Sequence, residues 1–569
     1  MTPPTRAPMV GWYDLGQLAR TAVQVVISTI FGQHSDARLR EALAPGQEIV
    51  RDYTKDEGGG ERREIWIDYV ADTGDGFNST YAVAYHVARP ALDVADPAGH
   101  VQRTERGRIL ILGGDQVYPV ASRAEYQRRV VAPWEQALRF SEAPSPDVYA
   151  VPGNHDWYDS LVAFLRLFCS QRWFGGWKTQ QTRSYFALKL PQRWWLLGTD
   201  VQLASDIDEP QLAFFRSVAT QMKDGDAVII CNAEPHWVYA QVYGDFDAEV
   251  YNESNLAFLE NKILRDRRVA VFVAGDLHHY RRHEGERDRT QKITCGGGGA
   301  FLHPTHAPEA GRLVERDERG AKVQDYALRA AFPPVAACRR LAWRNLLFPF
   351  LNPAFGIVPA ILYLITSWTV LAPIQDLGLR DIGMALHRTF ETVLLTPFAV
   401  FWILTIFGGF FMFTDTHSRW YRIVGGTLHG LAHLTALFSI GWLAAAVTVH
   451  GAGLPFKSIG QLLLAGLVIA VGGYVAGSMI MGIYLLISVN AFGRHANEAF
   501  SSLKIEDWKS FLRLHVRPDG TLEIFPIGLT RVPRRWRSTA GGGGSEIAPD
   551  DPAATAPVLI ERIAPLVPR

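Results

Sequence analysis

Two patterns of apolar residues divide the chain. Over the first 340 residues they come in short runs: Ile65–Val70, Ile109–Leu112, Val148–Val151, Trp194–Leu197, Val228–Ile230 and Val269–Val273. Most of these runs end in Gly, Asp or Asn, and short β-branched or apolar runs bounded by turn formers predict buried strands. Polar, helix-compatible stretches, such as 123–140 and 253–268, separate several of them. The alternation predicts a layered α/β sheet, whose chemistry sits in the loops after the carboxyl ends of the strands.

Between residues 345 and 493 the pattern changes. Residues 345–375, 392–414, 423–456 and 458–493 carry no Asp, Glu, Lys or Arg. Each run exceeds the roughly 20 residues with which a helix crosses about 30 Å of hydrocarbon. Four such runs predict a transmembrane domain of four helices, the first shortened by Pro349, Pro353, Pro359 and Pro373. Four spans put both flanks on one side, with Arg339, Arg340, Arg344, Arg419, Arg422, Arg494, Lys504 and Lys509. Arg380, Arg388 and Lys457 fall opposite, beside Asp376, Asp381 and Glu391. That bias places residues 1–340 in the cytosol, at a plasma or inner membrane.

The expected boundaries follow. Residues 1–59 form a helical N-terminal segment, with Ala22–Phe31 as a packed helix, and do not read as a signal peptide. Residues 60–340 form the α/β domain and 345–493 the membrane domain. Residues 494–537 form a small α+β segment that packs back on the first domain. Trp508, Phe511, Leu512 and Leu514 are helix-compatible there, and Leu522–Ile527 reads as a strand after the turn Asp519-Gly520. Residues 538–569, with glycines at 541–544, read as a flexible tail.

Composition narrows the function. The chain has 57 Lys+Arg and 57 Asp+Glu, a balance that argues against a dedicated nucleic-acid binder. Hydrophobic residues make up 48%, too many for a disordered protein. The four cysteines form no CxxC pair, which argues against a zinc-thiolate site and for a reducing compartment.

Four polar clusters follow predicted strands: Asp72-Thr73-Gly74-Asp75, Gly114-Asp115-Gln116-Val117-Tyr118, Gly153-Asn154-His155-Asp156 and Gly275-Asp276-Leu277-His278-His279. Glu234-Pro235-His236 lies between the last two. The spacings match strand–helix–strand units, which gather the clusters at one sheet edge. Carboxylate, amide and imidazole donors suit Mn, Fe, Zn or Mg.

The ordered set resembles the calcineurin-like metallophosphoesterase superfamily, with its pattern D-x-H, G-D, G-N-H-[DE], a lone His and G-H-x-H. The resemblance spans roughly residues 60–310. It implies a layered β-sandwich flanked by helices, two divalent metal ions and hydrolysis of a phosphomonoester or phosphodiester. By the same resemblance Asp115 bridges the two ions, and Asp72 and His278 bind the first. Asn154 and His236 bind the second, His155 stabilises the transition state or protonates the leaving oxygen, and Asp156 orients His155. Gly74 and Asp276 stand where the pattern has histidines, so Asp75 is expected to fill the first gap and Asp276 to ligate directly.

Tyr118, His279, His303 and His306 are expected at the substrate, and the glycines of 296–299 to offer backbone N–H groups to a phosphate. His429 and His433, one helical turn apart within a predicted span, are expected as neutral histidines bonded between helices. The membrane domain makes a lipid-linked phosphate one candidate substrate. The rival reading is a membrane sensor that binds a phosphorylated ligand without hydrolysing it.

Overall fold

The computed structural model describes residues 6–17, 19–20, 23, 50–141, 144–201, 206–243, 254–265, 267–306, 311–316, 321–371, 381–414, 418–539 and 544–568. The expected helix at Ala22–Phe31 lies outside these residues, except for Val23. The chain forms two compact units. One comprises residues 1–10, 19–338 and 504–569, the other residues 11–18 and 339–503.

The first unit is a sandwich of two large sheets. Strands β1 (Ile65–Val70), β2 (Ile109–Gly113) and β3 (Asp147–Val151) pair in parallel at the heart of a ten-stranded sheet. Strands β4 (Ala227–Cys231), β5 (Arg268–Ala274), β6 (Tyr280–Gly285) and β7 (Gln291–Cys295) lie in a nine-stranded sheet. Ile67, Tyr69, Ile111 and Tyr149 of one sheet and Ile229, Val271, Val273 and Ile293 of the other share a single core. Helix α1 (Phe77–Val87) packs on the outer face of the ten-stranded sheet. Both faces of the central strands are therefore buried, which is why they read as continuous apolar runs.

The ten-stranded sheet is completed from the far end of the sequence. Strand β8 (Lys509–Val516) lies between β1 and β9 (Leu522–Leu529). Leu512 stands opposite Tyr69, and Val516 opposite Ile65. This corrects the helical expectation for Trp508–Leu514. Leu512 and Leu514 face the core between the sheets while Phe511 faces the outer core, so no period-2 alternation is left to announce a strand. Arg513 is fully buried, pairs with Asp68 at 2.9 Å, and donates to the carbonyls of Val87 and Arg89 at the end of α1.

The segment expected as a flexible tail is likewise structured. Ile547–Pro549 pairs with Trp536–Ser538, and β10 (Val558–Leu559) adds to β9. Leu559 and Leu566 are buried, and Glu561 grips Arg282 at 2.9 and 2.6 Å. Most of the glycine run lies outside the described residues.

The second unit is helical. Three helices are long and apolar enough to cross a membrane: Pro353–Leu371, Arg419–Gly451 and Ile459–Phe492. Ile382–Leu395 and Pro397–Phe413 pass the same test only together, bent by 97°. The bend falls at Thr396, just before Pro397, where the missing amide hydrogen ends the helix.

Candidate functional site

The site is built at the carboxyl ends of the parallel strands. Register places Val70 beside Leu112, and Gly113 beside Val151, so the strands end nearly level. Asp72, Asp115 and Asn154 follow within three residues of those ends. Cys231 pairs with Val273, and Asp276 and His278 follow β5 in the facing sheet.

All three acidic residues, Asp72, Asp115 and Asp276, have left-handed backbone, with φ of 56°, 47° and 66°. Such conformations are uncommon outside glycine and cost of order 1–3 kcal/mol each; they persist where surrounding structure enforces them. Here Asp72 N–H donates to the Gly114 carbonyl, and Asp276 N–H donates to both carboxylate oxygens of Asp72, at 3.1 and 2.8 Å.

The Tyr118 hydroxyl stands in the middle of the cluster. It lies 3.0 Å from Asp72 Oδ1, 3.1 Å from Asp115 Oδ2 and 3.0 Å from His278 Nε2. Tyr118, expected at the substrate, thus stands among the metal-donor candidates. His278 Nδ1 faces the Phe301 carbonyl at 2.8 Å, which leaves Nε2 for the site. That arrangement fixes the tautomer and is the usual support of a metal-binding imidazole.

One phenol proton cannot satisfy three acceptors at once, so this buried group is short of positive charge. Burial, then the neighbouring Asp115 and Asp276, raises the Asp72 carboxyl well above its usual range. Burial raises Asp115 to about 7, and burial with Asp115 nearby raises Asp276 to about 8. Among the described residues, no three His, Cys, Asp or Glu side chains stand in ready coordination geometry. The donor chemistry fits a hard cation nonetheless: three carboxylates, a phenol oxygen and an imidazole nitrogen. Asn154 adds a buried Oδ1 that has no partner among the described residues.

The remaining predicted residues divide. His155 N–H donates to Asp115 Oδ1 at 2.9 Å, its ring leans on Tyr118, and its Nδ1 faces the Pro119 carbonyl at 2.7 Å. Burial lowers its pKa to about 4. Asp156 accepts from the backbone of Gly153 and Gln116 and from Tyr126, so it holds the turn and not the His155 ring. Asp75, expected to replace a missing ligand, is occupied by the backbone N–H groups of Val10 and Phe301 at 2.7 and 3.1 Å. His236 opens the helix Pro235 precedes and meets Asn232 at 3.0 Å and Glu260 at 3.4 Å.

His303 stacks on His278 at 4.0 Å, close enough to meet a substrate. His279 and His306 are buried. The glycine run serves packing: the N–H groups of Gly296, Gly298 and Ala300 go to the carbonyls of His279, Ala71 and Asp72. Gly74 has φ 58°, and a Cβ there would collide with the Gln116 carbonyl. The turn that lets Tyr118 reach the cluster thus leaves no room for a histidine at position 74.

Residues 65–280 match the calcineurin-like phosphoesterase family. Among solved structures the chain is similar to GAP50, described as the anchor in the inner membrane complex of Plasmodium. The identity is 14% over 42% of this chain and 74% of that one, with a TM-score of 0.30. It is similar to purple acid phosphatase PPD1 from yellow lupin (Lupinus luteus) seeds, at 14% identity over 42% of this chain and 45% of that one, TM-score 0.26. It is also similar to PhoD, at 10% identity over 47% of this chain and 69% of that one, TM-score 0.28. No curated protein matches the chain.

Proposed function

We propose that the chain, whose residues 65–280 form a calcineurin-like phosphoesterase domain, is a membrane-anchored, metal-dependent hydrolase of a phosphomonoester or phosphodiester. The observation that carries this reading is the convergence of Asp72, Asp115 and His278 on the Tyr118 hydroxyl within 3.1 Å. Asp72, Asp115, Tyr118 and His278 would hold one ion, with Asp276 beside them. Asp115 and Asn154 would serve a second, which His236 joins only by turning from Glu260. Bound ions supply an activated water and neutralise the phosphoryl oxygens. His155, with Nδ1–H held by the Pro119 carbonyl, would protonate the leaving oxygen only after taking up a second proton at Nε2, which the negative charge of a bound phosphoryl group favours. Asp156 positions it through the Gly153–Asn154 turn.

Asp115→Asn and Tyr118→Phe test the site. Both are expected to lose bound metal, measured by mass spectrometry, and hydrolysis of an aryl phosphate. Turnover equal to the parent in either variant refutes the assignment. A screen over phospholipids, isoprenoid phosphates and cyclic nucleotides then finds the substrate. The rival, a sensor that binds without hydrolysis, draws support from the contact of His236 Nε2 with Glu260 at 3.4 Å. Stoichiometric metal without turnover on any phosphoester would favour it.

The sheet also supports four membrane crossings. β1 precedes the apolar helices and β8 follows them, yet the two are hydrogen-bonded neighbours. That pairing puts both flanks of the apolar helices on one side and so favours an even number of crossings. Three straight helices give an odd count, and the bent pair 382–413 read as one broken span restores parity. Lys509 drops out of the flanking charges, because its ammonium is buried against the Ala300 carbonyl at 2.6 Å. The other basic flanks still favour the cytosol for the phosphoesterase domain. Asp93→Cys, at an exposed strand, should resist an impermeant thiol reagent on intact cells, and Lys457→Cys should react; the reverse pattern inverts the orientation.

A further inference from the structure

The second unit holds a ladder of two hydrogen-bonded sets of aromatic and imidazole groups, joined by a ring stack, that the proposed phosphoesterase chemistry does not use. Tyr363 Oη lies 3.0 Å from His433 Nδ1, and His433 Nε2 lies 3.3 Å from His429 Nε2. The His429 ring lies flat on Tyr484, with centroids 4.1 Å apart. Tyr484 Oη lies 3.0 Å from His495 Nε2 and 3.3 Å from Thr414 Oγ1, and His495 Nδ1 lies 3.5 Å from Glu498. Phe410 and Phe413 wall the imidazoles, and no carboxylate or ammonium group contacts His429 or His433 among the described residues.

The ladder has a direction. Glu498, 41% exposed, sits just past the end of Ile459–Phe492. Tyr484 is eight residues inside that end, about 12 Å at 1.5 Å per residue. His429 and His433 lie 10 and 14 residues past Arg419, about 15 and 21 Å along their helix. Tyr363 and His433 then line a cavity of about 140 Å³ with Thr366, Phe410, Leu434 and Met481. The groups thus step from the membrane boundary to its interior.

Proton bookkeeping gives the ladder its function. Tyr363, His433 and His429 are joined by two hydrogen bonds, and each neutral imidazole carries one N–H. Either Tyr363 donates to His433, which donates to His429, or every bond points the other way. Both states satisfy both bonds and leave one atom over, His429 Nδ1, which is buried with no partner among the described residues. The two states differ by passage of one proton. A proton taken up at His429 Nδ1 releases the Nε2 proton to His433 Nε2. His433 releases its Nδ1 proton to Tyr363 Oη, whose own proton leaves toward the cavity. We propose that Glu498, His495 and Tyr484, followed by His429, His433 and Tyr363, form a proton relay through the membrane unit. Ionisable residues placed within a span are functional by default, because burial there is costly.

The test uses the full chain in phospholipid vesicles that enclose the pH dye pyranine and a potassium gradient. Valinomycin sets the potential, and interior pH is followed. Wild-type vesicles should acidify or alkalinise with the sign of the potential, faster than protein-free vesicles. His429→Phe and Tyr363→Phe should return the rate to the protein-free level while hydrolysis of phosphoesters is kept. A wild-type rate equal to that of protein-free vesicles overturns the relay, as does an unaltered rate in either assembled variant. If His429→Phe fails to assemble, Tyr363→Phe, which removes one oxygen, decides alone.

Discussion

Replacing Arg513 by Met should destabilise the first unit severely, although Arg513 lies 445 residues from its partner Asp68 and beyond every long apolar helix. Its guanidinium donates to Asp68, to Thr104, and to the carbonyls of Val87 and Arg89 that end helix α1. Asp68 is buried and, among the described residues, would keep the Gly107 N–H at 2.8 Å and the charge of Arg106. Its carboxyl is already raised by burial, and the Arg513 charge is the main opposing influence. Removing one partner of such a pair costs about 3–5 kcal/mol, because it strands the other charge. Methionine fills much of the volume, so the loss is electrostatic and not a cavity. With a urea slope of about 1–3 kcal/mol per molar, the midpoint should fall by roughly 1 M or more. Pulse proteolysis in urea on the detergent-solubilised full chain reads that midpoint. Adding Asp68→Asn removes the stranded charge, so the double variant should be less destabilised than the two single effects summed. A shift within about 0.5 kcal/mol for Arg513→Met, the range of ordinary surface substitutions, would refute the reasoning. So would strict additivity.

Three further outcomes follow from the same structure. Burial lowers the pKa of Lys509 to about 8. Between that value and its ordinary 10.5 the unfolded chain binds more protons, so stability should rise with pH relative to Lys509→Met by about 2–3 kcal/mol; melting both at pH 8 and pH 10 checks this, and a constant difference contradicts it. Gly74→His should not restore a metal ligand: the left-handed backbone and the Gln116 carbonyl leave no room, with strain of about 1–3 kcal/mol before any clash, and bound metal above the parent level would show otherwise. Deleting residues 545–569 removes Leu559 and Leu566, worth about 1.5–3 kcal/mol each when buried, and leaves Arg282 without Glu561; limited proteolysis should then cut within residues 60–338, and full resistance would contradict the account.

Local pattern carried the parallel strands and their ligand-bearing ends, because buried β1–β3 are apolar throughout and each ends in a polar cluster. It carried the apolar helices for the same reason, through a long absence of charge. It misled at β8, where a strand buried on both faces shows no alternation and contains the two cations Lys509 and Arg513. It misled at 545–568, where alanine and proline suggested disorder but Glu561 is fixed by Arg282, 279 positions away, and Leu566 bridges to Leu522. The role of Tyr118 was hidden because only the turn around Gly74 decides where its hydroxyl ends. His236 and Asp75 matched a motif in order but their partners, Glu260 and the Val10 and Phe301 amides, are set by tertiary packing.

The late arrival of β8 sets a clock on biosynthesis. Strand β1 is complete at residue 70, but its neighbour ends at residue 516. At about 5–20 residues per second, ribosomes need roughly 20–90 s to cover that interval. Throughout it the edge of β1 that will receive β8 stands unpaired, a template for misassociation. The strand that closes it leaves the ribosome only after every long apolar helix has been made. A nascent chain that stalls or is truncated within the apolar helices therefore lacks the strand that finishes its ten-stranded sheet, and completion of the sheet becomes a report on completion of the helices.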